Sequence, residues 1–256
     1  LNGLSNDVKS FLKQKGVDLV GIALIEGIRN PLIDKNLIIK KMPSIKSIIV
    51  FGKRYLDSIL DSKSTQALAI HSSFVRSFLE KIAYDLAIFL SDKGYFASTI
   101  DPDSFPLDKL QEAIAPIYRA QKWFKNIENH IYKRENLFGE IPLVPIAQEA
   151  GLGWIGKSGM LITPQFGPRL RLNAVLTNAS LNPDKPFNQN LCGSCSVCIK
   201  TCIGNAINEN GYDPVKCFKN EVENGEVLIG IPYKICKALC LINCPVGKLK
   251  EKYRFK

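Results

Sequence analysis

Cys192-Gly-Ser-Cys195-Ser-Val-Cys198-Ile-Lys-Thr-Cys202 spaces four thiols two, two and three residues apart. A second run, Cys236-Lys-Ala-Leu-Cys240-Leu-Ile-Asn-Cys244-Pro245, follows, and Cys217 stands between the two. All eight cysteines of the chain therefore fall within residues 192–244. Iron in sulfur cubes needs soft, deprotonated ligands on a backbone that bends around the cube, and two-residue spacers bend it in that way. Eight thiolates make two sets of four, which predicts two [4Fe-4S] clusters and a protein that moves electrons. In this spacing the fourth thiolate serves the other cluster. Cys192, Cys195 and Cys198 are then expected to share one cluster with Cys244, and Cys202, Cys217, Cys236 and Cys240 to hold the second. Two features depart from the usual pattern: Ile203 follows Cys202 where a proline is common, and three residues part Cys236 from Cys240.

Disulfides of a secreted protein would be scattered to tie distant loops, whereas thiols two or three residues apart suit metal. Zinc is the rival, but zinc sites pair two C-x2-C knuckles across a spacer, and a triple run wraps a cube. The expected location is the reducing cytoplasm. No apolar run approaches the ~18 residues of a membrane span; neither a twin-arginine stretch nor an n-region/h-region pattern is seen, and residue 1 is Leu rather than Met. The formal charge is +10, from 34 basic and 24 acidic residues. Two oxidised clusters at roughly −2 each would remove about four of those charges. The cations are spread along the chain rather than gathered with aromatics, so nucleic acid is not an expected partner. The tail from Lys248 to Lys256 reads as a solvated terminal turn.

Upstream, apolar Leu4, Val8, Phe11 and Leu12 predict a helix over 4–15 with Ser5 as its cap. Residues 17–24 and 45–51 read as strands, 66–93 as the longest helix, ended by Gly94, and 95–100 as a short strand. A further helix is expected over about 107–131, bent near Pro116. Residues 141–150 read as helix, with Pro142 and Pro145 limiting its regularity, and 160–163 and 170–177 as buried strands. Asn182-Pro-Asp-Lys-Pro186 is the clearest linker. The expected class is α/β (α+β), with an α/β cofactor or substrate domain over 1–185 and a two-cluster ferredoxin-like domain over 186–256.

Gly151-Leu-Gly153-Trp-Ile-Gly156 satisfies G-x-G-x-x-G, but helix precedes it and strand follows, the reverse of a dinucleotide fingerprint. Asn173 and Asn178 also occupy the zone where an acidic residue is wanted. Read as a longer unit, Ala150 to Thr177 with Lys157, Pro164, Arg169 and Arg171, then the Asn-Pro-Asp-Lys-Pro linker and the cysteine run, resembles the epoxyqueuosine reductase and reductive dehalogenase superfamily. The resemblance is strong over 140–245 and thin over 1–139. It implies a nitroreductase-like, cobalamin-binding domain fused to a two-cluster module, with all eight cysteines in the same order.

The resemblance also implies a base-off corrinoid, in keeping with the absence of a D-x-H-x-x-G motif and the presence of only His71 and His130. Gly151, Gly153 and Gly156 would let the backbone approach that flat ligand, Trp154 would pack on it, and Lys157, Arg169 and Arg171 would hold its anionic groups. The alternative for the same loop is a tight helix-to-strand connection that covers the nearby cluster. Asp101 lies in a stretch loosely like the one that carries the catalytic aspartate of epoxyqueuosine reductases, so it is the candidate proton donor, with Asp103, Tyr118 and Tyr132 as alternatives. Neither the helical repeats of epoxyqueuosine reductases nor the long N-terminal region of the dehalogenases is visible, so a minimal member is expected. The expected function is an iron–sulfur oxidoreductase fed by a low-potential donor such as ferredoxin or flavodoxin, acting on a small substrate. A non-catalytic electron-transfer or corrinoid-reactivation subunit that docks a partner corrinoid enzyme is the alternative, and a tRNA-modifying reductase the third reading.

Overall fold

The fold is that of a computed structural model, which describes residues 2–62, 64–100, 141–217, 220, 226–228, 231–235 and 238–248. Its centre is a four-stranded antiparallel sheet in the order β1-β2-β6-β3. These strands are β1 (Leu19–Leu24), β2 (Ser47–Arg54), β3 (Ala97–Thr99) and β6 (Leu170–Thr177). Antiparallel sheets often leave one face wet, yet β2 reads Ser-Ile-Ile-Val-Phe because both of its faces are covered. Ile49, Phe51 and Val175 face one core with α1 (Asn2–Gln14) and α4 (Thr65–Asp92). Ile48, Val50, Ala174 and Leu176 face a second core with α2 (Lys35–Lys41) and α5 (Leu143–Glu149). Three layers result, helix on sheet on helix.

Local chemistry sets the helix ends. The Ser64 side chain accepts from the Ala67 amide and starts α4, and Gly94 at φ +82° follows its last turn. Asp34 caps α2 by accepting from the Asn36 and Leu37 amides. The sequence reading leaves α2 out, because three β-branched or aliphatic residues between lysines carry little helical periodicity. Ser5 is not a cap. It lies buried inside α1 and accepts from the Asn182 amide at 2.8 Å. The short helix α3 (Asp57–Asp61) packs beside α4.

Between α5 and β6 a small hairpin pairs β4 (Trp154–Ile155) with β5 (Leu161–Ile162). The segment 182–186, composed like a free linker, is tied to the sheet domain. Asp184 accepts from the Ile22 amide at 2.9 Å and from Lys9 Nζ at 2.6 Å. Beyond it come α6 (Val197–Thr201), the hairpin β7 (Ile207–Asn208) with β8 (Gly211–Tyr212), the pair β9 (Glu226–Leu228) with β10 (Ile231–Ile235), and α7 (Leu239–Ile242). No described helix is long and apolar enough to cross a membrane. The expected helix over 107–131 lies outside the described residues.

Candidate functional site

The cysteine-bearing segment folds back so that its two short helices, far apart in sequence, lie together. Cys192, Cys195 and Cys198 lie at the start of α6 and Cys244 just beyond α7, and these two short helices pack on each other. Burial pushes the Cys198 thiol above its ordinary range, Cys192 pushes it the same way, the Ile199 amide pulls it down, and Cys195 and Cys244 add to the rise. The Cys244 thiol is pushed up chiefly by burial and drawn down by the Val246 amide and by Arg169, with Cys192 and Cys195 again acting to raise it.

Cys202 follows the last turn of α6, and its sulfur accepts from the Ala206 amide at 3.3 Å. The Cys217 amide donates to Asp213 O at 3.1 Å, and Cys240 lies within α7. Cys236 lies outside the described residues. None of the seven described cysteines is joined in a disulfide. Among the described residues no three His, Cys, Asp or Glu side chains close around a point as on a single ion.

The glycine-rich hairpin lies against this segment. Trp154 is only 1% exposed, its Nε1 donates to Cys192 Sγ at 3.3 Å, and its ring stacks on Phe187 at 5.6 Å between centroids. Gly153 allows β4 to lie against β5: a Cβ there would stand 2.1 Å from Ile162 O. A Cβ on Gly156 would meet the Ile162 side chain at 2.6 Å and Cys192 Sγ at 3.6 Å. Gly151, at φ +76°, turns the chain out of α5 beneath Lys185 O. Lys157 pairs with Glu209 of the β7–β8 turn at 3.2 Å.

The two arginines point elsewhere. Arg169 is 3% exposed and directs its guanidinium at the α7 end: Nη1 donates to Val246 O at 2.6 Å, and Nη2 to Ile242 O at 3.2 Å and to Cys244 O. Arg171 reaches across the sheet to α4, where its Nη1 donates to Ser72 Oγ at 2.9 Å. The Tyr55 hydroxyl shares that oxygen at 3.1 Å. Beside it, His71 Nε2 accepts from the Leu56 amide at 3.1 Å, and burial holds the imidazole below its ordinary range. Asp101, Asp103, Tyr118, Tyr132 and His130 lie outside the described residues. Sequence reasoning does not single out Phe187, Tyr212 at Gly159, or the Val246-Gly247 turn, because their partners are far away along the chain. The Cys-Pro-x-Gly composition of the last is a local signal that could have marked a tight turn.

Fold and site together define a three-layer α/β protein whose glycine hairpin closes on the cysteine-bearing segment. No protein-family model matches the chain. It is 26% identical over 212 residues to the epoxyqueuosine reductase of Listeria monocytogenes, a match covering 81% of this chain and 48% of that protein. It is 29% identical over 187 residues to the tetrachloroethene reductive dehalogenase of Desulfitobacterium hafniense, covering 71% of this chain and 27% of that one. A solved reductive dehalogenase, whose structure suggests a mechanism for B12-dependent dehalogenation, shares the fold at a TM-score of 0.65 with 19% identity, covering 94% of this chain and 32% of that one. An epoxyqueuosine reductase solved with a modified tRNA-Tyr stem loop shares it at 0.56 with 17% identity, covering 95% and 65%. The chain thus resembles, in sequence and fold, the epoxyqueuosine reductase and reductive dehalogenase superfamily, whose members in both groups are reductases by name. It spans about half the length of the first of these relatives (48%) and less of the second (27%).

Proposed function

We propose that the chain is an iron–sulfur oxidoreductase that carries electrons through two [4Fe-4S] clusters to a corrinoid held against the sheet domain, for reduction of a small substrate. The observation that carries this reading is the packing of α6, which follows Cys192 and Cys195 and contains Cys198, on α7, which Cys244 follows. The surroundings of these cysteines fit a cluster. The Trp154 indole donates to Cys192, the Ile199 and Val246 amides bond to Cys198 and Cys244, and Trp154 stacks on Phe187. In this reading Cys202, Cys217, Cys236 and Cys240 hold the second cluster. The nitroreductase-like description of residues 1–185 and the ferredoxin-like description of 186–256 belong to the same proposal.

When bound, the clusters supply single electrons at low potential and the corrinoid a cobalt centre for two-electron reduction. The chain's own residues bind, orient and exclude water. Trp154 and the hairpin glycines seal the cysteine segment, Arg169 holds the turn that carries Cys244, and Asp101 is assigned the proton that substrate reduction consumes. The electron donor is of the ferredoxin or flavodoxin class.

Anaerobic reconstitution followed by titration with base-off cobalamin tests this assignment. Iron and sulfide in equal amount, with a visible spectrum that changes on adding the corrinoid, are expected. Clusters with no spectral response would favour the electron-transfer or reactivation subunit that docks a partner corrinoid enzyme. A second reading has an observation of its own. A relative of this fold was solved with a tRNA stem loop, so the scattered cations no longer argue against nucleic acid. Binding of a tRNA stem loop that collapses as salt rises would support it.

A further inference from the structure

Arg169 is nearly fully buried, and its guanidinium is taken up by backbone carbonyls. Its fork reaches three carbonyls, those of Ile242, Cys244 and Val246, which bracket one thiol 75 residues further along the chain. The approach is tight. A Cβ on Gly167 would stand 2.0 Å from Val246 O, and one on Gly247 would stand 2.1 Å from the carbonyl carbon of Phe166. Only a glycine on each side lets the two turns lie back to back. The guanidinium stays charged when buried, and it is held on the carbonyl of Cys244 itself. On the other side of the same group of thiols, Trp154 donates to Cys192 Sγ.

We infer that Arg169 is the positioning residue of the cluster completed by Cys244, that its charge raises the potential of that cluster alone, and that the Trp154 indole adds a smaller effect in the same direction at Cys192. This rests on the iron–sulfur reading above. Reduction adds one electron to the cluster with no bond made or broken, so the reduced form is the more negative. A buried cation and an N–H directed at sulfur both favour that form, and potentials follow net charge and hydrogen bonds to the sulfurs. A helix-capping arginine without this role would affect folding but not a potential.

The test is a redox titration of the reconstituted full chain with dithionite, read by the electron-spin signals of the reduced clusters, together with the rate of iron release to a chelator. Arg169→Met is expected to shift one of the two potentials negative and leave the other in place. Arg169→Lys keeps the charge and the potential but lacks the planar fork. It should release the iron of one cluster about tenfold faster, the usual effect of losing a partner of a metal ligand. Trp154→Phe should lower one potential slightly and release iron as the wild type does. If Arg169→Met fails to fold, the lysine and phenylalanine variants decide the matter. Potentials and iron release equal to wild type in the folded Arg169 variants would overturn the inference. A wild-type chain that takes up no iron and sulfide would instead overturn the iron–sulfur reading, and the inference with it.

Discussion

Asp184 holds a segment that composition alone marks as free. One carboxylate oxygen takes the Ile22 amide of β1 and the other takes Lys9 of α1. Asn-Pro-Asp-Lys-Pro reads as a turn because its asparagine, aspartate and two prolines favour turns, and no local pattern announces partners more than 160 residues away. Asp184→Ala leaves a strand amide without its acceptor and should cost about 1–3 kcal/mol, read as a lower denaturant midpoint. His71 offers a second test. Its pKa is held below the ordinary 6.5 by burial, so the neutral form is favoured in the fold. Its contribution is present above the ordinary imidazole value and is lost as pH falls through the depressed one. His71→Gln keeps an acceptor for the Leu56 amide and should flatten the decline in melting temperature across that window. An unchanged slope would remove His71 as its source.

At the scale of elements, legibility followed burial. The strands β1, β2 and β6 were readable as apolar runs because each is covered on both faces, and α4 because Phe74, Phe78, Leu79, Ile82, Leu86 and Phe89 recur at helical spacing; of these Phe74 is in fact exposed, and Leu68, Val75 and Leu90 complete the buried face. Helix α2 was not readable, since its stability comes from the Asp34 cap and the second core rather than from propensity. The glycine segment was recognisable as something other than a dinucleotide loop, since α5 enters it and strands leave it. That its tryptophan reaches Cys192 was not legible, because 38 residues separate the pair. Gly153→Ala should disrupt the β4–β5 hairpin, since its Cβ meets a backbone oxygen at 2.1 Å that has nowhere to move. A loss of about 1–3 kcal/mol or more is expected. Gly3→Ala in α1 meets nothing within 4 Å, so it should stabilise by up to about 1 kcal/mol. Thermal melts of both variants check the opposite signs.

For the whole molecule, the sheet domain supplies a rigid wall and the cysteine-bearing segment folds against it through Trp154, Lys157 and Arg169. The cysteine spacing led to two proposed thiol groups, and in the structure the two short helices that carry or border Cys198 and Cys244 pack on each other. The order of the antiparallel sheet, with β6 inserted between β2 and β3, was beyond reach because strand order depends on long-range pairing. Replacing one ligand of each group separates the two sites. Cys198→Ser and Cys202→Ser should each lower bound iron by about half, with different spin signals lost. If either variant alone abolished all iron, the two sites would not be independent.

The central claim is that these thiols cage iron–sulfur cubes, and metal and sulfide analysis of the chain purified without oxygen tests it most directly. About eight iron atoms and about eight acid-labile sulfides per chain are expected for two such clusters. Zinc in place of iron, with no labile sulfide, would contradict it.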